Sequence, residues 1–506
     1  MAAEQANLAA VLASDVGDRS DRPFLRVPGG TTHTYAEVDR LAARFAAALA
    51  AAGAYPGDRI LVQVAKSPAA VALYLACLRG GFVHVPVNPA ATTDELGWFV
   101  ADAEPAVLVA DPAFVTDVSS LHAVGAVLTL DRDGTGSLPD QATSGADNGP
   151  VADRASEDPA AILYTSGTTG RPKGAVLSHG ALRHNAEVLH RTWRFSADDV
   201  LLHVLPIFHV HGLFVALHCA MLSAIPVWLC PRFDVEATLA LLPRSTVMMG
   251  VPTHYVRLLA DPRFDAARTA SIRLLLSGSA PMSTTTFESL LERTGHHVCE
   301  RYGMSEAGII TSNPYDGPRL AGTVGHSLPG IELRVTVDGR SVDPGITGTV
   351  EIRSPGLLTE YWRRPDATAA MMRDGWFVTG DVGRLDPDGR LTLEGRSGDT
   401  IITGGENVYP KEIELALDTV AGVGESAVIG VPHPDLGEAV VALVVDTPGE
   451  TATDTDIADA LAGLARHKHP RAVRHVDALP RNTMGKVQKQ VLRTTWAGLF
   501  DPPTGA

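Results

Sequence analysis

The chain has 506 residues, 45% apolar and 20% charged, the balance of a globular protein large enough for more than one domain. Its 42 basic and 58 acidic side chains leave a net charge of −16, which argues against a nucleic-acid-wrapping surface. Four cysteines, Cys77, Cys219, Cys230 and Cys299, stand in apolar surroundings without CxxC or zinc spacing, so buried reduced thiols are expected in place of disulfides or a zinc site.

In chain order, Met1 to Gln5 carries no basic or apolar leader, so no signal peptide is expected and the cytoplasm is the expected location. Thr34 and Glu37 form a capping box ahead of Val38, Leu41, Phe45 and Leu49, which share one helix face. A strand is predicted over 59–64. Ser67 as N-cap and Pro68 at the first helical position open a helix that Gly80 and Gly81 end. A strand over 82–87, a helix from Thr93 and a strand over 106–110 follow. Strands alternating with helices imply right-handed crossovers and a mostly parallel sheet. The Gly-, Ser-, Asp- and Pro-rich stretch over 131–158 reads as a surface loop.

Beyond it lies Tyr-Thr-Ser-Gly-Thr-Thr-Gly-Arg-Pro-Lys-Gly, residues 164–174, led in by an apolar strand over 160–163. Glycines let the backbone approach a ligand, and a turn of N–H groups suits phosphate oxygens. Thr165, Ser166, Thr168 and Thr169 add hydroxyls around Gly167, and Lys173 adds positive charge. No Gly-Lys-Ser/Thr closes the loop, so it is not a Walker A element. The uncharged stretch 200–230 holds His203, His209, His211, His218, Pro206 and Pro226, which fits a buried strand, loop and helix better than a membrane span. Strands are predicted over 246–251 and 273–276. Over 330–353 the apolar period falls towards two, with turns at Asp338-Gly339 and Pro344-Gly345, predicting a small antiparallel unit. A second boundary falls at 396–398. Past it, strands over 399–403, 425–431 and 439–445 and helices over 409–420 and 454–466 predict a compact α+β unit.

Several motifs stand beside the glycine loop. They are Leu-Pro-Ile-Phe-His-Val-His-Gly at 205–212, Ser-Gly-Ser-Ala at 277–280 and Arg-Tyr-Gly-Met-Ser-Glu at 301–306. Gly380-Asp381, Gly395-Arg396 and Pro-Arg-Asn-Thr-Met-Gly-Lys at 480–486 complete the set. The motif from Arg301 to Glu306 and the pair Gly380-Asp381 each read as following an apolar strand, so Glu306 and Asp381 are expected in loops after strands, where α/β folds present ligand-facing residues. Composition alone leaves Lys486, with Lys489 nearby, also readable as a solvated face, and only the surrounding motif separates the two readings.

Together and in this order, the motifs resemble the acyl-adenylate-forming superfamily of acyl-CoA synthetases, adenylation domains and luciferases. The resemblance implies a large N-terminal domain over 1–396, of α/β sheets plus a β subdomain, and a small mobile α+β C-terminal domain over 397–506 that turns near Gly398. It implies ATP, Mg²⁺ and coenzyme A: a carboxylate attacks the ATP α-phosphate, and a thiol then displaces AMP. By resemblance, Thr165 to Lys173 hold the β- and γ-phosphates and Glu306, with Thr165, lies at Mg²⁺. Asp381 and Arg396 meet the ribose, Tyr302 lies against adenine, and Lys486 aligns carboxylate and α-phosphate, with His209 also at the reacting end. Gly404 and Gly405 resemble the segment lining the thiol tunnel, and Lys468 and Arg471 are readable either as CoA-phosphate contacts or as a solvated cluster.

Within the superfamily, Phe-His-Val-His-Gly-Leu-Phe at 208–214, Glu-Arg-Tyr-Gly-Met at 300–304 and Thr-Ser-Asn-Pro-Tyr at 311–315 are similar to malonyl-CoA synthetases. A dicarboxylate needs a second anion site. Arg257 and Arg301 are the candidates, with Ser279 adding a hydroxyl; both arginines are also readable as structural ion pairs. Ile309 stands where malonyl enzymes commonly carry methionine, which reshapes the pocket towards an acid such as methylmalonate. A ligase for another small acid, a nitrite-activating diazotase and a nucleotide-binding protein without catalysis are the competing expectations. No carrier segment follows residue 500, favouring a free-standing ligase. A small carboxylate is the expected partner, with no nucleic acid and no membrane, in a monomer or small homo-oligomer.

Overall fold

The computed structural model describes residues 6–14, 20–114, 124–144, 147, 149–165, 172–404, 406–482 and 485–500. The described residues form four sheets. A seven-stranded sheet runs in the order Glu360–Tyr361, Lys173–Ser178, Pro159–Thr165, Val83–Pro86, Arg59–Gln63, Val107–Ala110, Ala126–Thr129. Its last five strands are parallel, as the alternation predicts, and its first two pairings are antiparallel. Strands Pro159–Thr165 and Lys173–Ser178 are therefore the two arms of the glycine loop, with Thr165 directly opposite Lys173.

A nine-stranded sheet has a parallel centre of Cys299–Met304, Leu274–Ser277, Val247–Gly250, Leu201–His203, Val227–Leu229 and Pro23–Arg26. Between its strands the stretch 200–230 is a buried strand, turn, π-helix His211–Leu217 and strand, as its histidines and prolines imply. Local signals set the helices. Thr34 and Glu37 exchange both capping-box bonds ahead of Tyr35–Ala51, and Ser67 caps Pro68–Arg79. Thr92 and Glu95 close another box ahead of Thr93–Ala103. The antiparallel unit extends past the predicted 330–353 through Trp376–Leu385 and Leu391–Arg396. Asp338 and Gly339 both take the left-handed backbone that a tight hairpin turn needs, with φ of 49° and 76°.

A small C-terminal unit follows the 3-10 turn Ser397–Asp399: strands Ile401–Thr403, Glu406–Val408, Val423–His433, Gly437–Asp446 and Ala472–His475, with helices packed against them. Its helices Pro410–Leu417 and Asp454–Leu461 stop short of the predicted ends. It has its own core, including Ile413, Leu417, Val428, Val440 and Ile457.

Three expectations are corrected. The stretch 131–158 is not all loop: helix Ser137–Gln141 buries Leu138, whose isolation among polar residues hides the amphipathic pattern. The Arg301 motif does not follow a strand; it is one, Cys299–Met304, hairpinned to Gly308–Ser312. Asp381 lies within the long strand Trp376–Leu385 and not in a loop after it.

Candidate active site

The glycine loop's arms bring Thr165 beside Glu306. Glu306 sits in the turn between strands Cys299–Met304 and Gly308–Ser312 and is buried. Its Oε1 accepts from Thr165 Oγ1 at 3.3 Å and from Tyr361 Oη at 2.9 Å. Lys173 lies over the Tyr361 ring, 5.5 Å from its centre. Strand Glu360–Tyr361 pairs with Lys173–Ser178, and the Leu358 N–H binds the Glu306 carbonyl at 2.6 Å. The segment 358–361 thus joins the strand that follows the loop to the Glu306 carboxylate. Ser166, Gly167, Thr168, Thr169 and Gly405 lie outside the described residues.

Asp381 and Arg396 are directly opposite across strands Trp376–Leu385 and Leu391–Arg396. Arg396 Nε stands 2.9 Å from Asp381 Oδ1, and Tyr302 Oη donates to Oδ2 at 2.5 Å. Both carboxylate oxygens are engaged, so the buried charge is compensated. The Tyr302 phenol is raised well above its usual range, by burial first and then by Asp381.

Lys486 follows Gly485, whose close approach to Thr253 (2.8 Å from where a Cβ would lie) sets the C-terminal loop on helix Pro252–Leu259 of the large domain. Lys486 lies in the electrostatic field of Arg396 and Asp381; desolvation, then Arg396, lowers its pKa. The structure therefore brings Lys486, Asp381, Arg396 and Tyr302 to one cleft. Gly404, at φ 58°, lies in the turn after Ile401–Thr403, its N–H bonded to Leu436 O. Lys468 is committed to Glu412 at 2.7 Å, which favours its structural reading.

The other end of the cleft is different in kind. Arg301 is 4% exposed, packed under Gly278, where a Cβ would lie 2.4 Å from the guanidinium carbon. Only glycine leaves room for it. Its Nε and Nη2 have no hydrogen-bond partner, and burial pushes its pKa down to about 10. Ser279, held at a left-handed φ of 70°, brings Oγ to 3.3 Å from His211 Nδ1. His209, expected at the reacting end, stands on this wall beside His211; each leaves Nε2 buried and unpaired, and burial pushes His209 down to about 4. Ile309 is fully buried in Gly308–Ser312, its carbonyl held by Asn185. Arg257 does not join Arg301: it is exposed, one helical turn after His254 on Pro252–Leu259.

Sequence reasoning missed Tyr361 as a site residue. A Tyr-Trp pair in a polar stretch is its only signal, and 55 positions separate it from Glu306. It also passed over His211 as distinct from His209.

The residues present fit a magnesium nucleotide. A buried carboxylate and a hydroxyl supply the few hard oxygens that Mg²⁺ takes from protein when phosphates supply the rest. Asp381 offers acceptors suited to vicinal hydroxyls. Among the described residues no helix is long and apolar enough to cross a membrane.

The AMP-binding enzyme family matches residues 12–362, and the AMP-binding enzyme C-terminal domain matches 412–486. The chain is 36% identical to an indoleacetate–CoA ligase of Aromatoleum aromaticum, over 91% of this chain and 92% of that one. It is 37% identical to a malonate–CoA ligase of Arabidopsis thaliana, over 67% of this chain and 60% of that one. The crystal structure of ATP-bound MatB from Rhodopseudomonas palustris is 46% identical and superposes with a TM-score of 0.95, covering 98% of this chain and 100% of that one. The apo form of the same protein gives 0.84.

Proposed function

Because the chain belongs to the AMP-binding enzyme family, and is an AMP-forming acid–thiol ligase using ATP, Mg²⁺ and coenzyme A, we propose that its acid is a small dicarboxylate, malonate or methylmalonate. The observation that carries this reading is the buried, unpaired guanidinium of Arg301. An isolated buried charge is costly unless a counter-charge arrives, and Nε with Nη2 presents a fork that matches a carboxylate. A plain fatty acid offers nothing to it.

In this reading Asp381 accepts from the ribose hydroxyls while Arg396 holds its geometry, and Tyr302 walls the adenine. Thr165 and Lys173, with the loop Ser166, Gly167, Thr168 and Thr169, hold the β- and γ-phosphates. Glu306 and Thr165 would hold Mg²⁺, which neutralises phosphate charge; Tyr361 keeps the Glu306 carboxylate in place. Lys486 bridges the reacting carboxylate and the α-phosphate, bringing two anions together and neutralising charge as it builds. The carboxylate oxygen bonds to phosphorus as the bond to pyrophosphate breaks. The coenzyme A thiol, passing Gly404 and Gly405, then attacks the acyl carbon and AMP leaves. Arg301, Ser279 and His209 face the distal carboxylate, and Ile309 sets the width at its α-carbon. The two domains divide at 396/397, and the small one turns about Gly398.

The test is AMP release from Mg-ATP with malonate, methylmalonate, acetate, octanoate, indoleacetate and nitrite, each with and without coenzyme A. CoA-dependent turnover on malonate or methylmalonate is expected. Turnover confined to a monocarboxylate or nitrite would discard the dicarboxylate pocket and keep the adenylation chemistry.

A further inference from the structure

Lys66 lies between strand Arg59–Gln63 and helix Pro68–Arg79 of the seven-stranded sheet, and its side chain reaches into the nine-stranded one. Its Nζ has three acceptors, all on one segment: His203 Nδ1 at 2.8 Å, His203 O at 2.9 Å and Leu205 O at 2.8 Å. Among the described residues no carboxylate is paired with it. An ammonium has three protons, and these three acceptors use them all, so Lys66 has none to offer a ligand.

His203 passes the constraint on. With Nδ1 accepting from Lys66, its proton is on Nε2, which donates to Gly212 O at 2.8 Å. Gly212 closes a turn so tight that a Cβ there would lie 2.0 Å from Pro206 O. Between these two fixed points stand His209 and His211. His211 is the residue that meets Ser279, and Arg301 acts electrostatically on it. The chain Lys66, His203, Gly212 therefore braces, from behind, the wall that faces Arg301. Nothing in it touches the nucleotide end, where Asp381, Arg396 and Glu306 have partners of their own.

We infer that Lys66 is a positioning residue for the acid pocket, acting through His203 on the turn that carries His209 and His211. The inference rests on the reading of that pocket as the acid's site. It separates acid from nucleotide: loss of the brace loosens one wall of one pocket. Lys66→Met keeps the stem and removes the donors. A charge-assisted hydrogen bond is worth about tenfold or more, so the KM for the acid rises by about that factor while the KM for ATP stays within about twofold.

The experiment measures both KM values for Lys66→Met, His203→Gln and the double variant, with the acid the enzyme turns over best. Melting temperature and binding of a fluorescent ATP analogue report folding. The acid KM is expected to rise in each single variant, and the double variant is expected to be no worse than the worse single one, because both break the same chain. Should Lys66→Met not fold, His203→Gln carries the same KM comparison. Equal shifts in both KM values, additive losses, or a lowered melting temperature with an unchanged acid KM would overturn the inference. Arg301→Ala runs alongside. A raised acid KM there without one in Lys66→Met sinks the positioning role alone. An unchanged acid KM in Arg301→Ala sinks the pocket reading, and the inference with it.

Discussion

The two ends of the cleft are built on opposite terms. At one end every buried charge described has its partner within the protein: Asp381 holds Arg396 and Tyr302, and Glu306 takes Thr165 and Tyr361. At the other, Arg301 keeps two donors unmatched beside histidines with unpaired nitrogens. A site whose carboxylates already have hydrogen-bond donors within the protein is held in place before its ligand arrives. A site with an uncompensated cation stores a cost that only an anion relieves. Shape therefore matters most at the first end and charge at the second.

The largest effect expected touches the point where the ends meet. Lys486→Ala should lower adenylate formation, measured by ATP–pyrophosphate exchange, by on the order of 10²–10³-fold while ATP binding is largely retained. Unchanged exchange would remove Lys486 from the chemistry. Next is Arg301→Met, which puts function and stability in opposition. The acid KM should rise about tenfold or more, and the unfolding free energy should rise by about 1 kcal/mol or more, because an uncompensated buried charge is gone. The same kind of change at the paired end, Asp381→Asn, should destabilise instead. If urea unfolding shows both variants destabilised, the contrast between the ends fails.

Acidification sharpens it further. Burial holds His209 and His254 down to about 4, so between pH 6.5 and 4 the unfolded chain binds protons that the folded one refuses. Stability therefore falls as pH drops through that window. Glu300, raised to about 7 by burial, has the opposite sign and adds stability as pH falls from 7 towards 4.5. Glu300→Gln should accordingly make the loss on acidification steeper, and equal slopes in urea titrations of the two proteins would refute this. The smallest effect is Tyr361→Phe, which removes one of two hydroxyls on Glu306. The Mg²⁺ concentration giving half-maximal nucleotide binding should rise about two- to tenfold, with the acid KM unchanged. A shift in the acid KM alone would move Tyr361 to the other end.

Much of this was legible in the residues because it is local. The capping box at Thr34, the Ser67-Pro68 start and the Asp338-Gly339 turn each act within four residues, and each forms. The motif order likewise named Glu306, Asp381, Arg396 and Lys486, which the fold gathers into one cleft. What escaped depends on distance or on pairing. Tyr361 reaches Glu306 only because a two-residue strand joins the glycine loop's far arm. Asp381 looks like a loop residue from its Gly-Asp context, yet its role needs the strand register that sets Arg396 opposite. Arg257 and Arg301 are equivalent as letters. Only packing separates an arginine sealed under Gly278 from one in solvent.

The four cysteines are all buried, and burial raises each thiol above its usual pKa. An acyl adenylate is a mixed anhydride, and it acylates any thiolate within reach. In this protein none of its own sulfurs is both ionised and accessible, so the activated acid finds no internal competitor for the thiol that arrives from solution. Self-acylation is avoided by where the sulfur lies, without cysteine having to be excluded from the chain.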